Sequence, residues 1–172
     1  MMKKLGALIC GLLLLTLFGC QAMKKSRYIA SVNEKMALFT DCANAFSDSL
    51  EEIAKTQAAP TKSQIDEAEN RLDALSEVCK EIETLKAPGS YAKEQKALRD
   101  AMAQYGIALE KGRALLEFYR QYDALFRSYP NPDEGSETMK QKTLEIYGEF
   151  AEAMRQATDS FREAEKLLQA AQ

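Results

Sequence analysis

Apolar residues recur along most of this chain at spacings of three and four, the period of a single buried helix face. Between positions 27 and 56 they fall at Ile29, Val32, Met36, Phe39, Ala43, Phe46, Leu50 and Ile53. Pro60 ends that run. Thr61 with Gln64 then makes a capping box, opening a second stripe of Ile65, Ala68, Leu72, Leu75, Cys79 and Ile82. Ala87-Pro88-Gly89 stops the second helix, and Ser90 is the expected N-cap of a third, with Ala101, Tyr105, Ala108, Gly112, Leu115, Tyr119, Tyr122 and Phe126 on its stripe. The prolines within Tyr129–Gly135 remove amide donors and restrict the residues before them. A fourth helix is therefore expected from near Ser136, with Tyr147, Phe150, Met154, Ala157, Phe161, Ala164 and Leu168 inward.

The connections are short, which makes sequential helices antiparallel neighbours, and stripes near a 3.5-residue period suit packing at about 20°. The expected fold is all-α: an antiparallel up-down-up-down four-helix bundle over residues 27–172, with coiled-coil-like seams. Composition agrees, since 28% of residues are charged and 46% hydrophobic, while 4 Pro and 8 Gly are too few for a loop-rich β protein. The small residues Ala101, Ala108 and Gly112 predict either close approach of the third helix to a neighbour or room for a large ring.

The N-terminus carries a different pattern. Lys3 and Lys4 precede an apolar run from Leu5 to Phe18, which fits a signal-peptide core and falls short of the roughly 20 residues of a spanning helix. Lys24, Lys25 and Arg27 follow at once. The run closes on Leu17-Phe18-Gly19-Cys20, which resembles the lipobox of bacterial lipoproteins, with Phe18 in place of the usual smaller residue. The resemblance covers the first 20 residues only. It implies removal of 1–19, attachment of palmitate-like acyl chains to Cys20, and a linker over 20–26 reaching at most roughly 20 Å. The implied partner is membrane lipid, held through Cys20, on the extracytoplasmic side of the cell envelope. Gln21, rather than Asp, after the cysteine implies the periplasmic face of the outer membrane in a host with two membranes. Lys24, Lys25 and Arg27 either add about 1 kcal/mol each against anionic headgroups or form a solvated linker.

Charge and inventory narrow the chemistry. The net charge of −3 has acids and bases interspersed, which argues against nucleic acid as a partner. The sequence contains 0 His, so the commonest general base, the usual haem ligand and the Glu-x-x-His pairs of di-iron bundles are missing. The carboxylates of Glu51-Glu52, Asp66-Glu67-Glu69 and Glu149-Glu152 lie at helical spacing among Lys and Arg, the pattern of solvated surface. Asp133-Glu134-Gly135 lacks the ligand spacing of a calcium loop, and there is no Gly-rich phosphate loop. The expectation is a non-enzyme with no catalytic residue, metal or cofactor.

With Cys10 in the signal segment and Cys20 acylated, Cys42 and Cys79 form an even pair outside the cytoplasm. About a turn centred near Ala59, their axial positions differ by roughly 4 to 5 Å. A disulfide between Cys42 and Cys79 is expected, worth roughly 4 kcal/mol by loop closure. Two buried free thiols are the alternative, and the lack of CxxC spacing disfavours a redox role.

Two functional readings remain: a lipid-anchored interaction or structural module that binds an envelope protein, or a carrier holding an apolar or aromatic molecule between helices. The first places its contacts at the tip away from the membrane. There, helix three should overhang helix two by roughly 18 Å, presenting Phe118 and Tyr129 off the stripe, with Tyr122, Arg120 and Arg127 beside them.

Overall fold

The computed structural model describes the backbone over residues 2–55 and 59–171, and side chains over 23–55, 59–131 and 133–171. Among the described residues the fold is made of four α-helices: α1 (Met2–Lys55), α2 (Lys62–Thr84), α3 (Ala92–Arg127) and α4 (Pro132–Ala170). The protein is all-α, a helical bundle. Neighbouring helices contact each other with residue numbers running in opposite directions. Lys35 bonds Glu81 while Arg71 bonds the Ala45 carbonyl, both at 2.7 Å, across α1 and α2. Arg113–Asp73 at 2.6 Å and Arg120–Glu69 at 2.7 Å do the same across α2 and α3, and Lys111–Glu149 at 2.5 Å joins α3 to α4.

All four helices converge on Gly112. A Cβ there would meet Leu72 of α2, Phe150 of α4 and Phe46 of α1 at 3.0, 3.3 and 3.4 Å. Of the two outcomes the small residues allowed, this glycine supplies both, a close helix approach and space for two rings. Around it the core is continuous, from Val32, Phe39 and Phe46 through Leu75, Leu98, Tyr105 and Leu115 to Ala157, Phe161 and Leu168.

Several boundaries differ from expectation, each for a local reason. Thr61 and Gln64 do form a capping box. Ser90 caps nothing, because Gly89–Tyr91 forms a 3-10 turn leading directly into α3. Helix α4 begins at Pro132 rather than Ser136: Asn131 is the N-cap, accepting from the Asp133 amide at 3.1 Å, and proline at N1 gives up a donor that has no helical partner anyway. Helix α1 runs through 20–26 without a break, so the stretch expected as a linker is helical. Ala22, Met23, Lys24 and Lys25 favour helix, and no Gly or Pro interrupts them. The rise from Cys20 to Ser26 is then about 9 Å, less than half of the extended reach.

Candidate functional site

The seam between α1 and α4 is built differently from the other three. Among the described residues, the α1 and α4 backbones nowhere approach within 8 Å, Cα to Cα. Aromatic rings bridge the gap: Phe39 lies 5.0 Å from Phe161 and Phe46 lies 6.0 Å from Phe150, centroid to centroid. Tyr105 of α3 closes the lower layer, 4.7 Å from Phe39, with its hydroxyl 3.2 Å from Thr158 Oγ1. Burial pushes the Tyr105 phenol upward, partly offset by that hydrogen bond.

The α1 stripe explains why the seam stays open. It contains two interleaved heptad rows. Val32, Phe39, Phe46 and Ile53 are buried, whereas Ile29, Met36, Ala43 and Leu50 are only half-buried. A row with one helix on each side is covered; a row whose second neighbour stands too far away is not. On α4 the heptad row Tyr147, Met154, Phe161 and Leu168 passes from exposed through half-buried to buried, so the apolar cover from α4 thins away from the N-terminal end of the bundle, although a hollow of about 290 Å³ between Met36, Ala37 and Thr40 of α1 and Glu165 and Leu168 of α4 lies at that end too.

Two hollows occupy the open part. One, of about 450 Å³, lies between Ala43, Ser47, Leu50 and Ala54 of α1 and Tyr147, Ala151 and Met154 of α4. The next, of about 440 Å³, continues past Ile53 and Pro60 to Tyr119, Tyr122, Leu144 and Tyr147. Tyr147, 47% exposed, lines both hollows, and Leu144, 65% exposed, lines the second. Neither hollow is an enclosed cavity. Tyr119, Tyr122 and Tyr147 line the upper hollow together, and burial raises the Tyr119 phenol, with Tyr147 and Tyr122 adding to it.

The residues expected at the distal tip are dispersed. Phe118 is 8% exposed, its ring 6.0 Å from Tyr122 and 6.2 Å from Tyr119, so the free contact expected of it is corrected. Helix α3 packs between α2 and α4 and buries a broader face than one stripe, including Met102, Leu109 and Leu116 as well as Phe118. Arg120 is committed to Glu69, Asp66 and Glu117. Tyr129 is half-buried, folded over Gly135, where a Cβ would stand 3.0 Å from its own Cβ. Arg127 is exposed, and Tyr122 alone of the five lines the seam. The expected overhang also contracts. The pairs 73 with 113 and 66 with 120 carry Lys62 to the level of about Ala124, leaving less than one turn, ~5 Å, of α3 beyond it. The additional length of α3 lies at its other end, beside the extended connection from Leu85 to Pro88.

Cys42 and Cys79 are both free thiols, so the disulfide is not formed in this structure. The contacts of 35 with 81 and 45 with 71 set Cys42 level with about residue 74, some five residues and ~7 Å along the axis from Cys79. That axial offset alone is already at the limit of a disulfide's reach, about 7 Å Cα to Cα, and the lateral separation of the two packed helices carries the pair beyond it. Burial pushes the Cys79 thiol up to about 12, with Glu83 and Cys42 adding to the shift. Cys42, half-buried, is raised by burial and by Asp41.

Of the carboxylates singled out at helical spacing in the sequence, all but Glu52 are held in ion pairs at the surface. Glu51 pairs with Lys55 at 2.7 Å, Glu67 with Arg71, and Glu149 with Lys111. Glu152 is lowered to about 2, first by its hydrogen bond from Arg155, then by that from Gln156. Among the described residues, no group of three or more Cys, Asp or Glu is arranged to hold a metal ion, and no helix is long and apolar enough to cross a membrane. The side chain of Cys20 lies outside the described residues.

Comparison of the chain with protein-family models, with curated proteins and with solved structures finds no match.

Proposed function

We propose that this chain is a non-enzymatic lipoprotein of the cell envelope, anchored through acylated Cys20, whose bundle binds an amphipathic helix of an envelope protein along the α1–α4 seam. The observation that carries this reading is the half-covered heptad row. Met36, Ala43 and Leu50 repeat every seven residues on α1 and stay half-buried; exposed Tyr147 stands across from Ala43 and Leu50, and exposed Leu144 lies beyond it beside Ile53 and Ala54. Small residues at Ala43, Ser47, Ala54 and Ala151 leave room for knobs from an incoming helix, the helix-in-groove mode of recognition. The distal-tip residue Tyr122 belongs to the upper end of the same surface.

The alternative is a carrier for an apolar or aromatic molecule, favoured by hollow volumes of about 450 and 440 Å³, within the usual range of ligand pockets. Their openness to solvent favours a macromolecular occupant, because an apolar small molecule lying there would keep much of its surface wet.

A photo-crosslinking residue placed at Ser47 or Ala151 in cells tests both readings. The expected product is one envelope protein, crosslinked through a peptide with apolar residues at three- and four-residue spacing, and lost when Leu144 and Tyr147 are changed to Asp. Recovery of only a small molecule establishes the carrier instead. Acyl labelling that survives Cys20→Ser overturns the anchor.

A further inference from the structure

The end of the bundle nearest Cys20 holds a second feature, unconnected with the seam. Lys24, Arg27, Tyr28 and Ser31 fall at i, i+3, i+4 and i+7 on α1 and therefore share one face. Opposite them runs the extended connection of Leu85, Lys86, Ala87 and Pro88, and the two segments enclose a hollow of about 490 Å³. From α3, Gln95 Nε2 donates to the Leu85 carbonyl of that connection, and Arg99 Nε donates to the Glu83 carbonyl in the last turn of α2 at 3.0 Å. Exposed Lys86 lines the hollow together with the α1 residues.

The charges around this hollow are of one sign. Lys24, Arg27 and Lys86 line it, and no Asp or Glu does. Among the described residues none of the three forms an ion pair; Lys62, Lys80, Lys93, Arg127, Lys140 and Lys142 form none either, so what sets the three apart is that they line one hollow. Lys25 adds a fourth cation nearby, 5.9 Å from the Tyr91 ring centroid. Tyr28 is buried, its ring 5.5 Å from Tyr91, and its hydroxyl has no hydrogen-bond partner. Glu94 acts on Tyr28 but does not line the hollow. Three unpaired cations converging on one concave site, with a Ser hydroxyl beside them, suit a phosphate group.

Position selects the source of that phosphate. Helix α1 is continuous through Cys20, so Lys24 stands four residues, about 6 Å, along the axis from the cysteine. We infer that the hollow between α1 and the α2–α3 connection binds the phosphate of an anionic phospholipid headgroup, seating the bundle against the leaflet that carries its anchor. The assignment rests on the anchored reading for its orientation only.

The test is an NMR titration of the purified full chain in neutral-detergent micelles, with dihexanoylphosphatidylglycerol in one arm and inorganic phosphate in the other. The lipid should give saturable amide shifts confined to 24–31 and 85–88. Replacing Lys24, Arg27 and Lys86 together by Gln should weaken that affinity at least tenfold, while Lys140→Gln with Lys142→Gln, at the far end, should leave it unchanged. All five side chains are at the surface or outside the core, and far-UV circular dichroism verifies that both variants stay folded. Shifts with phosphate but not with the lipid, shifts unaltered in the triple variant, or no shifts in either arm each overturn the inference. Failure of the anchor is read separately, by acyl labelling of Cys20.

Discussion

Gly112 stands so close to Leu72 that a Cβ on the glycine would lie 3.0 Å from the leucine Cδ1, whereas the same atom on Gly106 would meet nothing within 4 Å. Both glycines lie within α3 and carry the same backbone penalty relative to alanine, about 0.5–1 kcal/mol. Gly106→Ala should recover that amount. Gly112→Ala must displace Leu72, Phe46 and Phe150, side chains from three other helices in a packed core, and should destabilise by ~1 kcal/mol or more. Urea denaturation of the two variants checks the contrast, and equal effects would refute the four-helix convergence at Gly112.

Tyr28 and Tyr91 give a second comparison, since the Tyr28 hydroxyl is buried without a hydrogen-bond partner and the Tyr91 hydroxyl has one. Tyr28→Phe keeps the ring beside Tyr91 and deletes an unsatisfied hydroxyl. Its stability should stay level or rise by up to ~1 kcal/mol. Tyr91→Phe should instead lose ~1 kcal/mol, because the Tyr91 hydroxyl donates to the Ala171 carbonyl at 3.2 Å. A thermal melt in which Tyr28→Phe is the less stable of the two contradicts this.

Element type and most of the core were legible because helical periodicity is a local property of the sequence. Pro60, the Thr61–Gln64 box and the Pro88-Gly89 turn marked breaks that the structure keeps. The seam was not legible in the same way. Ala43 and Phe46 look alike on a helical stripe; their different burial depends on how far α4 stands from α1, which no local signal records. Phe118 was misjudged for a related reason, since one stripe describes a helix with one neighbour and α3 has two. The Cys42–Cys79 pairing failed on register: counting from the turn brings the two within reach, but the Lys35–Glu81 and Arg71–Ala45 contacts shift the pair apart. The cationic hollow needed Lys86, some sixty residues from Lys24, and only the fold brings them together.

The thiols carry a prediction about reactivity and pH. Alkylation of native protein should modify Cys42 well before Cys79, which is buried and whose thiol is pushed up to about 12. In the unfolded chain that thiol ionises near 9.0, so its contribution to stability is complete below about pH 9 and is lost as pH rises toward 12. The loss amounts to ~4 kcal/mol at most. Tyr28, Tyr105 and Tyr119 are raised chiefly by burial and act in the same direction. Denaturant midpoints measured from pH 8 to about pH 11 should therefore fall, and Cys79→Ala should flatten the fall without abolishing it. A slope identical to that of the parent would exclude Cys79 as a contributor.

The open seam predicts an inverse relation between stability and binding. Ser47 is exposed on α1 at the lower hollow, facing Phe150, Ala151 and Met154 across it. Ser47→Leu adds a better helix former and covers apolar surface that the bundle leaves wet, which should stabilise the free protein by ~1 kcal/mol. The same side chain occupies the space that an incoming helix requires. The variant should therefore melt higher and yet lose the crosslink formed at Ala151, which separates loss of the docking surface from loss of the fold. Leu144→Asp, at an exposed rim position, should weaken the crosslink with little change in melting temperature. If Ser47→Leu gains stability while the crosslink at Ala151 persists at full yield, the partner does not enter the seam.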